Sequence, residues 1–226
     1  MANHCFTTYK IQGTEKAVKD LFTTISSLQT TIKGLEECCD PDSLEAVLKA
    51  NGLENLFERF KTQEAIRLWL GDLAEHYGIN CEERQIYFRG HICYVKYETI
   101  EKEDKHLLTV ETDTAWEGCH SLFNAINEVL GNELSISFRE CEWMTEHFCV
   151  HDEGGFFPQK CVATIKDGCY LRYVYFDTIK AAIHEWCSMM GVERGDKSEE
   201  EMVENINNYV YTEGDNYFFI HEITFV

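Results

Sequence analysis

Three alternating residues, His147, Cys149 and His151, carry the side chains best suited to hold a metal in this 226-residue chain. Along a strand, alternate residues share one face, so His147 and Cys149 are placed to chelate one ion with help from a neighbouring strand. All three cannot converge, because residues i and i+4 of a strand lie roughly 13 Å apart at ~3.3 Å per residue. The plainer reading of the same stretch puts Phe148 and Val150 into the core and the polar set toward solvent or a covering segment. A cysteine nucleophile would need an adjacent base and electropositive surroundings. Cys149 with His147, or Cys119 with another histidine, supplies the first, but the acidity of the chain works against the second.

Other patterns exclude chemistry. His184-Glu185 and His221-Glu222 each lack the second histidine of a zincin helix, and Asp152-Glu-Gly-Gly155 reads as a turn because a calcium loop needs more spaced oxygen ligands. There is no Gly-x-x-x-x-Gly-Lys-Ser/Thr, no Gly-x-Gly-x-x-Gly and no Cys-x-x-Cys. No cofactor and no catalytic residue is expected. Trp143, Phe156 and Phe157 sit in or beside turns, where large apolar groups serve as interface anchors or fold back as a small satellite core.

Charge narrows the partners. Forty Asp and Glu against twenty Lys and Arg leave a formal charge of −20, which opposes phosphate backbones and anionic membranes. Direct nucleic-acid binding is therefore not expected; Tyr94 and Tyr97 are the residues of a sheet that could stack on bases, but few basic groups accompany them. No apolar run approaches the ~20 residues of a membrane span, and the start of the chain has no basic and apolar leader pattern. Eleven cysteines, an odd number without repeated short spacing, fit a reduced, cytosolic protein that uses cysteine as a small buried hydrophobe. Vicinal Cys38-Cys39, beside acidic residues, reads as a solvated helix end.

The elements that position these residues follow from periodicity. A strand from Cys5 to Gly13 leads into a helix with Ala17, Val18, Leu21, Phe22, Ile25 and Leu28 on one face. Residues 31–78 read as a helical insertion, with a cap and turn at Asp40 to Ser43, a stop at Asn51-Gly52 and a helix over 63–76. A strand over 85–97, a charged turn at 101–105 and a strand over 107–112 form a hairpin. Asp113 or Thr114 caps a helix carrying Cys119, Leu122, Phe123, Ile126, Val129 and Leu130, and Leu134, Ile136 and Phe138 alternate along the next strand.

The order β-α-(insert)-β-β-α-β predicts an α+β, ferredoxin-like split βαβ sandwich: a mostly antiparallel sheet with helices on one face. Three shorter strands follow (146–151, 160–165 and 170–176), then two helices, and a last strand over 217–226 with Tyr217, Phe219, Ile223 and Phe225 on one face. The expected organisation is a ferredoxin-like domain over 1–166 with the insertion at 31–78, and a C-terminal β/α extension over 167–226 packed on the same body.

The chain resembles the YubB-type ferredoxin-like family of proteins carried by plasmids and phages. The resemblance rests on Met1, Ala2, Asn3 and Cys5, on Ile11, Gly13, Ala17, Val18 and Leu21, and on Thr112, Thr114 and Trp116, then Leu134, Ile136 and Phe138, up to Gly154-Gly155. It covers roughly residues 1–30 and 85–160. The chain departs from the family at His4, where tryptophan is usual, at Glu117-Gly118, where prolines are usual, and at Trp143-Met144-Thr145, where a Pro-Gly turn is usual. The resemblance implies the fold and a mobile-element habitat, with no catalytic residues to carry over. The expected function is a non-enzymatic protein-binding or accessory module with an unidentified protein partner, in one version an acidic mimic of nucleic acid. The alternative is an enzyme with a pocket between the sheet and the helical insertion.

Overall fold

The computed structural model describes residues 3–36, 46, 49, 68–100, 105–167, 170–211 and 217–226. It is a mixed α+β protein built in four layers. A six-stranded sheet has the order β2-β3-β1-β4-β5-β9, from β1 (His4–Gly13), β2 (Gly90–Ile100), β3 (Lys105–Ala115), β4 (Leu134–Glu142), β5 (His147–His151) and β9 (Thr224–Phe225). Every pairing in it is antiparallel except that of β5 with β9. A three-stranded sheet, β7-β6-β8, holds β6 (Cys161–Asp167) between β7 (Tyr170–Phe176) and β8 (Tyr217–Glu222).

Helices α1 (Glu15–Glu36), α2 (Leu70–His76) and α3 (His120–Val129) cover one face of the large sheet. The α1 stripe Ala17, Val18, Leu21, Ile25 and Leu28 meets Tyr9, Ile11, Leu108 and Val110 there, as its spacing requires. On the opposite face, over β4 and β5, the small sheet packs through Cys141, Phe148, Val150, Val162 and Ile223. Helices α4 (Ile179–Met190) and α5 (Glu199–Asn207) close the far side through Ala182, Ile183, Trp186, Met202 and Ile206. Thr178 caps α4, Gly191 ends it in the left-handed conformation, and Ser198 with Glu201 forms a capping box on α5. The small sheet thus draws its middle strand from within 1–166 and hands the chain back to the large sheet at β9.

Several sequence expectations change. The strand expected over 85–97 starts at Gly90, because Gln85 takes a φ of 55° and the preceding backbone closes a turn from Ile86 N–H to Cys81 O. Neither Asp113 nor Thr114 caps α3: β3 runs on to Ala115, Thr114 donates to the carbonyls of Cys5 and Glu117, and Asp113 pairs with His4. Val129, expected on the apolar face of α3, is exposed. The last strand breaks at Ile223 as it passes between sheets, so Phe218, Ile220 and His221 are buried while Phe225 is exposed.

The expected insertion begins inside a continuous α1, which runs to Glu36, and ends with α2. Residues 37–45, 47–48 and 50–67 lie outside the described residues, and with them the cap at Asp40 to Ser43, Cys38-Cys39 and the stop at Asn51-Gly52. So do residues 101–104 of the charged turn.

Candidate functional site

Polar side chains converge at one end of the helix-covered face of the large sheet. Antiparallel pairing sets Thr7 of β1 and Cys149 of β5 on either side of Glu140 on β4, and Tyr9 beside Phe138. The connection from β3 to α3 brings His120 over them. Trp116 leaves β3 with a φ of 69°, and Gly118 comes so close to the sheet that a Cβ on it would stand 2.5 Å from Glu140 Oε2. That approach lets the Gly118 N–H donate to Glu140 Oε2 at 2.8 Å.

Glu140 is the hub. Its side chain is 5% exposed, His120 Nε2 lies 2.6 Å from Oε2, and His147 Nε2 lies 3.4 Å from Oε1. The other nitrogen of His120, Nδ1, is 3.1 Å from the Tyr9 hydroxyl, and its ring stacks on Phe138 at 3.6 Å. Burial alone would raise the Glu140 carboxyl, but the hydrogen bond and charge of His120, the Gly118 N–H and His147 together hold it below its ordinary range. An ionised Glu140 accepts from His120 Nε2–H, which leaves Nδ1 to accept from Tyr9 when the imidazole is neutral. Burial raises the Tyr9 phenol well above its usual value, so it stays protonated as the far end of this chain.

The thiols nearby are protonated as well. Burial pushes Cys5 and Cys119 up to about 12, and Cys149 is raised by burial and then by the Glu140 charge. Neither Cys149 with His147 nor Cys119 beside His120 is therefore a thiolate nucleophile at neutral pH. His147 and Cys149 share the face of Glu140, as their alternation requires, with His147 exposed and Cys149 buried. Among the described residues, no group of three or more His, Cys, Asp or Glu side chains could hold a metal ion.

No protein-family model, curated protein or solved structure matches this chain.

The other sequence candidates lie elsewhere. Phe157 is buried between the sheets, and Trp143 stacks on Tyr173 at 3.7 Å with its edge toward Phe148. Phe156 packs on the same cluster, and the Asp152 carboxylate shapes its turn by accepting the N–H groups of Phe156 and Phe157. Within this chain all three fill the seam between the sheets. Met144, in the neighbouring turn, is the exposed apolar residue there, at 77%.

Tyr97 faces α1, stacked on Phe22 and bonded to His106, whereas Tyr94 stands exposed on the open sheet face opposite Glu111. One tyrosine beside a carboxylate makes a poor base-stacking platform. Against α2, where the enzyme alternative expects a pocket, a hollow of about 630 Å³ is lined by Trp69, Glu75, Asn80, Cys81, Ile86 and Phe88 among others. Burial raises the Cys81 thiol there too.

Tyr9, His120 and Glu140 had no signal in the sequence. They come from three elements and meet only through the pairing of β1 with β4 and the approach of Gly118.

Proposed function

We propose that the chain is a cytosolic, non-enzymatic protein-binding module, an accessory protein of a mobile element whose acidic coat engages a basic face on its partner. The observation that carries this reading is the outer side of α5. Met202 and Ile206 anchor the helix inward, while Glu200, Glu201 and Glu204 are exposed, next to exposed Glu193 and Asp196. Glu201 serves the capping box, but Glu200 and Glu204 join no ion pair found among the described residues. Arg194, in the segment before α5, donates to the Lys197 carbonyl. Carboxylates left unneutralised on a rigid helix favour steering toward a basic groove, and in the sharpest version they stand in for phosphates.

The fold reading supports the same habitat. The order β2-β3-β1-β4 with α1 and α3 as crossovers favours a ferredoxin-like reading of this part, and that order together with the motifs it resembles is what supports a place in the YubB-type family.

The test is a pull-down from bacterial lysate at rising salt, with the Glu200→Lys/Glu204→Lys variant alongside. A partner that is retained at low salt, released at high salt and lost by the variant is expected. If no partner is released by salt, the reading fails. Tight gel-shift binding to DNA or RNA at low salt would replace it with a nucleic-acid function.

A further inference from the structure

We infer that β7 binds an extended segment of a partner protein, which joins the three-stranded sheet as a fourth strand and lies over the uncovered side of β1. The inference rests on the protein-binding reading but uses a surface other than the acidic side of α5.

Sheet edges carry unpaired N–H and C=O groups that recruit another strand unless something blocks them. Three of the four edge strands here are blocked, at least in part. β8 is held by Asn207, which bonds both backbone groups of Ile220, and by the Tyr211 hydroxyl, which donates to the Phe218 carbonyl at 3.1 Å. β9 is two residues long, and the start of β2 bridges to Trp69, with the Ile92 N–H donating to the Leu68 carbonyl at 2.9 Å. β7 has none of these devices. Among the described residues it pairs with β6 alone, in an unbroken register from Tyr170 to Phe176. Its sequence, Tyr-Leu-Arg-Tyr-Val-Tyr-Phe, is rich in strand formers and free of proline, glycine and lysine. Its one charge, Arg172, lies 3.9 Å from Glu185 of α4, and Tyr170 and Leu171 are exposed.

What lies beyond that edge decides the occupant. The Tyr175 ring sits 4.0 Å from the guanidinium of Arg139 on β4, and Tyr173 stacks on Trp143 just after β4. Across the small sheet, His221 of β8 packs on Phe148 of β5 at 4.9 Å. β7 therefore lies over β4, and β1, β3 and β2 continue past it as a ledge that the small sheet does not reach. With Tyr9 and Ile11 turned toward the helices, alternation turns Phe6, Thr8 and Lys10 of β1 up to this ledge, where Phe6 is 44% exposed. A strand added to β7 would run roughly 10 Å above them, the spacing of packed sheets, with room for one layer of side chains. A second copy joined β7 to β7 about a two-fold axis would drive its own large sheet into the same ledge, so a single strand fits and a whole copy does not. The occupant is a proline-free extended segment with apolar residues at alternate positions, bonded through its backbone to β7 and resting those side chains on Phe6.

The test screens the full-length protein against a phage-displayed library of random linear peptides and follows the enriched sequences as synthetic peptides by NMR and calorimetry. Expected are peptides with alternating apolar residues whose binding shifts the amides of residues 170–176 and of Phe6 to Lys10. N-methylation of alternate peptide amides is expected to weaken binding roughly tenfold or more in one phase of the alternation and little in the other, because only one set of N–H groups faces β7. Leu171→Lys and Phe6→Ser replace exposed residues and are expected to fold normally and to weaken binding severalfold each. Glu200→Lys/Glu204→Lys should leave peptide binding unchanged, so this site and the α5 surface can fail separately. No enriched sequence, shifts that bypass residues 170–176, or equal affinity for both N-methylated forms overturns the proposal. A concentration-dependent dimer in sedimentation whose β7 amides resist hydrogen exchange overturns it in favour of a second copy.

Discussion

The side-chain amide of Asn207, at the end of α5, grips the backbone of Ile220 with two hydrogen bonds: Nδ2 donates to the Ile220 carbonyl at 2.9 Å, and the Ile220 N–H donates to Oδ1 at 2.8 Å. Asn127, near the end of α3, does the same to Leu134 at 2.9 Å for both bonds. In each case a helix holds the strand of the sheet it covers. β8 is an edge strand, and β4 pairs with β5 only from Phe138 onward. A primary amide offers the donor and acceptor of a peptide group, so each asparagine stands in for one residue of a missing strand.

Removing either clip is expected to cost about 1–3 kcal/mol, the range for stranding buried backbone groups. Urea denaturation of Asn207→Ala and Asn127→Ala should show lower midpoints with little change in slope. Asn207→Asp retains the acceptor but faces the Ile220 carbonyl with a carboxylate, so it should be no more stable than the alanine variant. The two clips share no partner, and the double variant should show additive losses within about 0.5 kcal/mol. A midpoint for Asn207→Ala equal to wild type would show the clip to be energetically idle.

Stability should fall on mild acidification because of His221. It is 6% exposed, lies between the rings of Phe148 and Phe219, and is 2.7 Å from the Thr164 hydroxyl through Nε2. Burial lowers its affinity for a proton, against a smaller opposing pull from Glu146 at 3.7 Å. The folded pKa therefore lies below the unfolded value of about 6.5, and between the two the unfolded chain binds more protons. The contribution is complete above about pH 6.5 and drains away as the pH falls toward the folded pKa. His221→Gln should flatten that part of the curve, measured as the difference in urea midpoint between pH 7.5 and 5.5. Identical pH slopes in the two proteins would rule His221 out as the source.

Thiol labelling should separate the cysteines by burial. Cys93 is exposed, whereas Cys5 and Cys119 are buried with pKa values near 12, and burial takes Cys161 to about 11. At pH 7.5 a disulfide reagent should modify Cys93 in the folded protein, and Cys93→Ser should remove one fast-reacting equivalent. Cys5, Cys119 and Cys161 should react only after unfolding, since the thiolate is the reactive form. Fast labelling of Cys119 in the native protein, located by peptide mapping, would contradict its burial.

Periodicity carried the elements because burial on one face is a local property. The stripe of α1 was legible residue by residue, and so was the alternation of β4. What failed involved a choice between partners. The pattern of the last strand misleads because the chain changes sheets at Ile223, so the residues before and after the break face different layers. Thr114 looks like a helix cap, yet its hydroxyl lies between the Glu117 carbonyl at 2.7 Å and the Cys5 carbonyl across the sheet at 3.2 Å. The candidate site is of the same kind. Tyr9, His120 and Glu140 meet across sequence separations of 20 to 111 residues, and no spacing along the chain encodes a hub that exists only once β1 lies beside β4.

Two glycines should respond to substitution for opposite reasons, and the contrast tests how the site is built. A Cβ on Gly118 would meet Glu140 Oε2 at 2.5 Å and His120 Cε1 at 2.6 Å, and the buried carboxylate has little room to retreat because the Gly118 N–H holds it. Gly118→Ala should therefore cost about 1–3 kcal/mol, as overpacking does, and should move the His120 ring resonances in NMR spectra. Gly155 meets nothing within 4 Å but has a φ of +71°, so its constraint is the backbone alone. Gly155→Ala should cost roughly 1 kcal/mol with His120 undisturbed, and Gly155→Asn should recover much of that, since asparagine tolerates the left-handed region. At residue 118 the larger asparagine should be worse than alanine. If Gly118→Ala left both stability and the His120 signals unchanged, the close approach of the loop to Glu140 would not be what assembles the site.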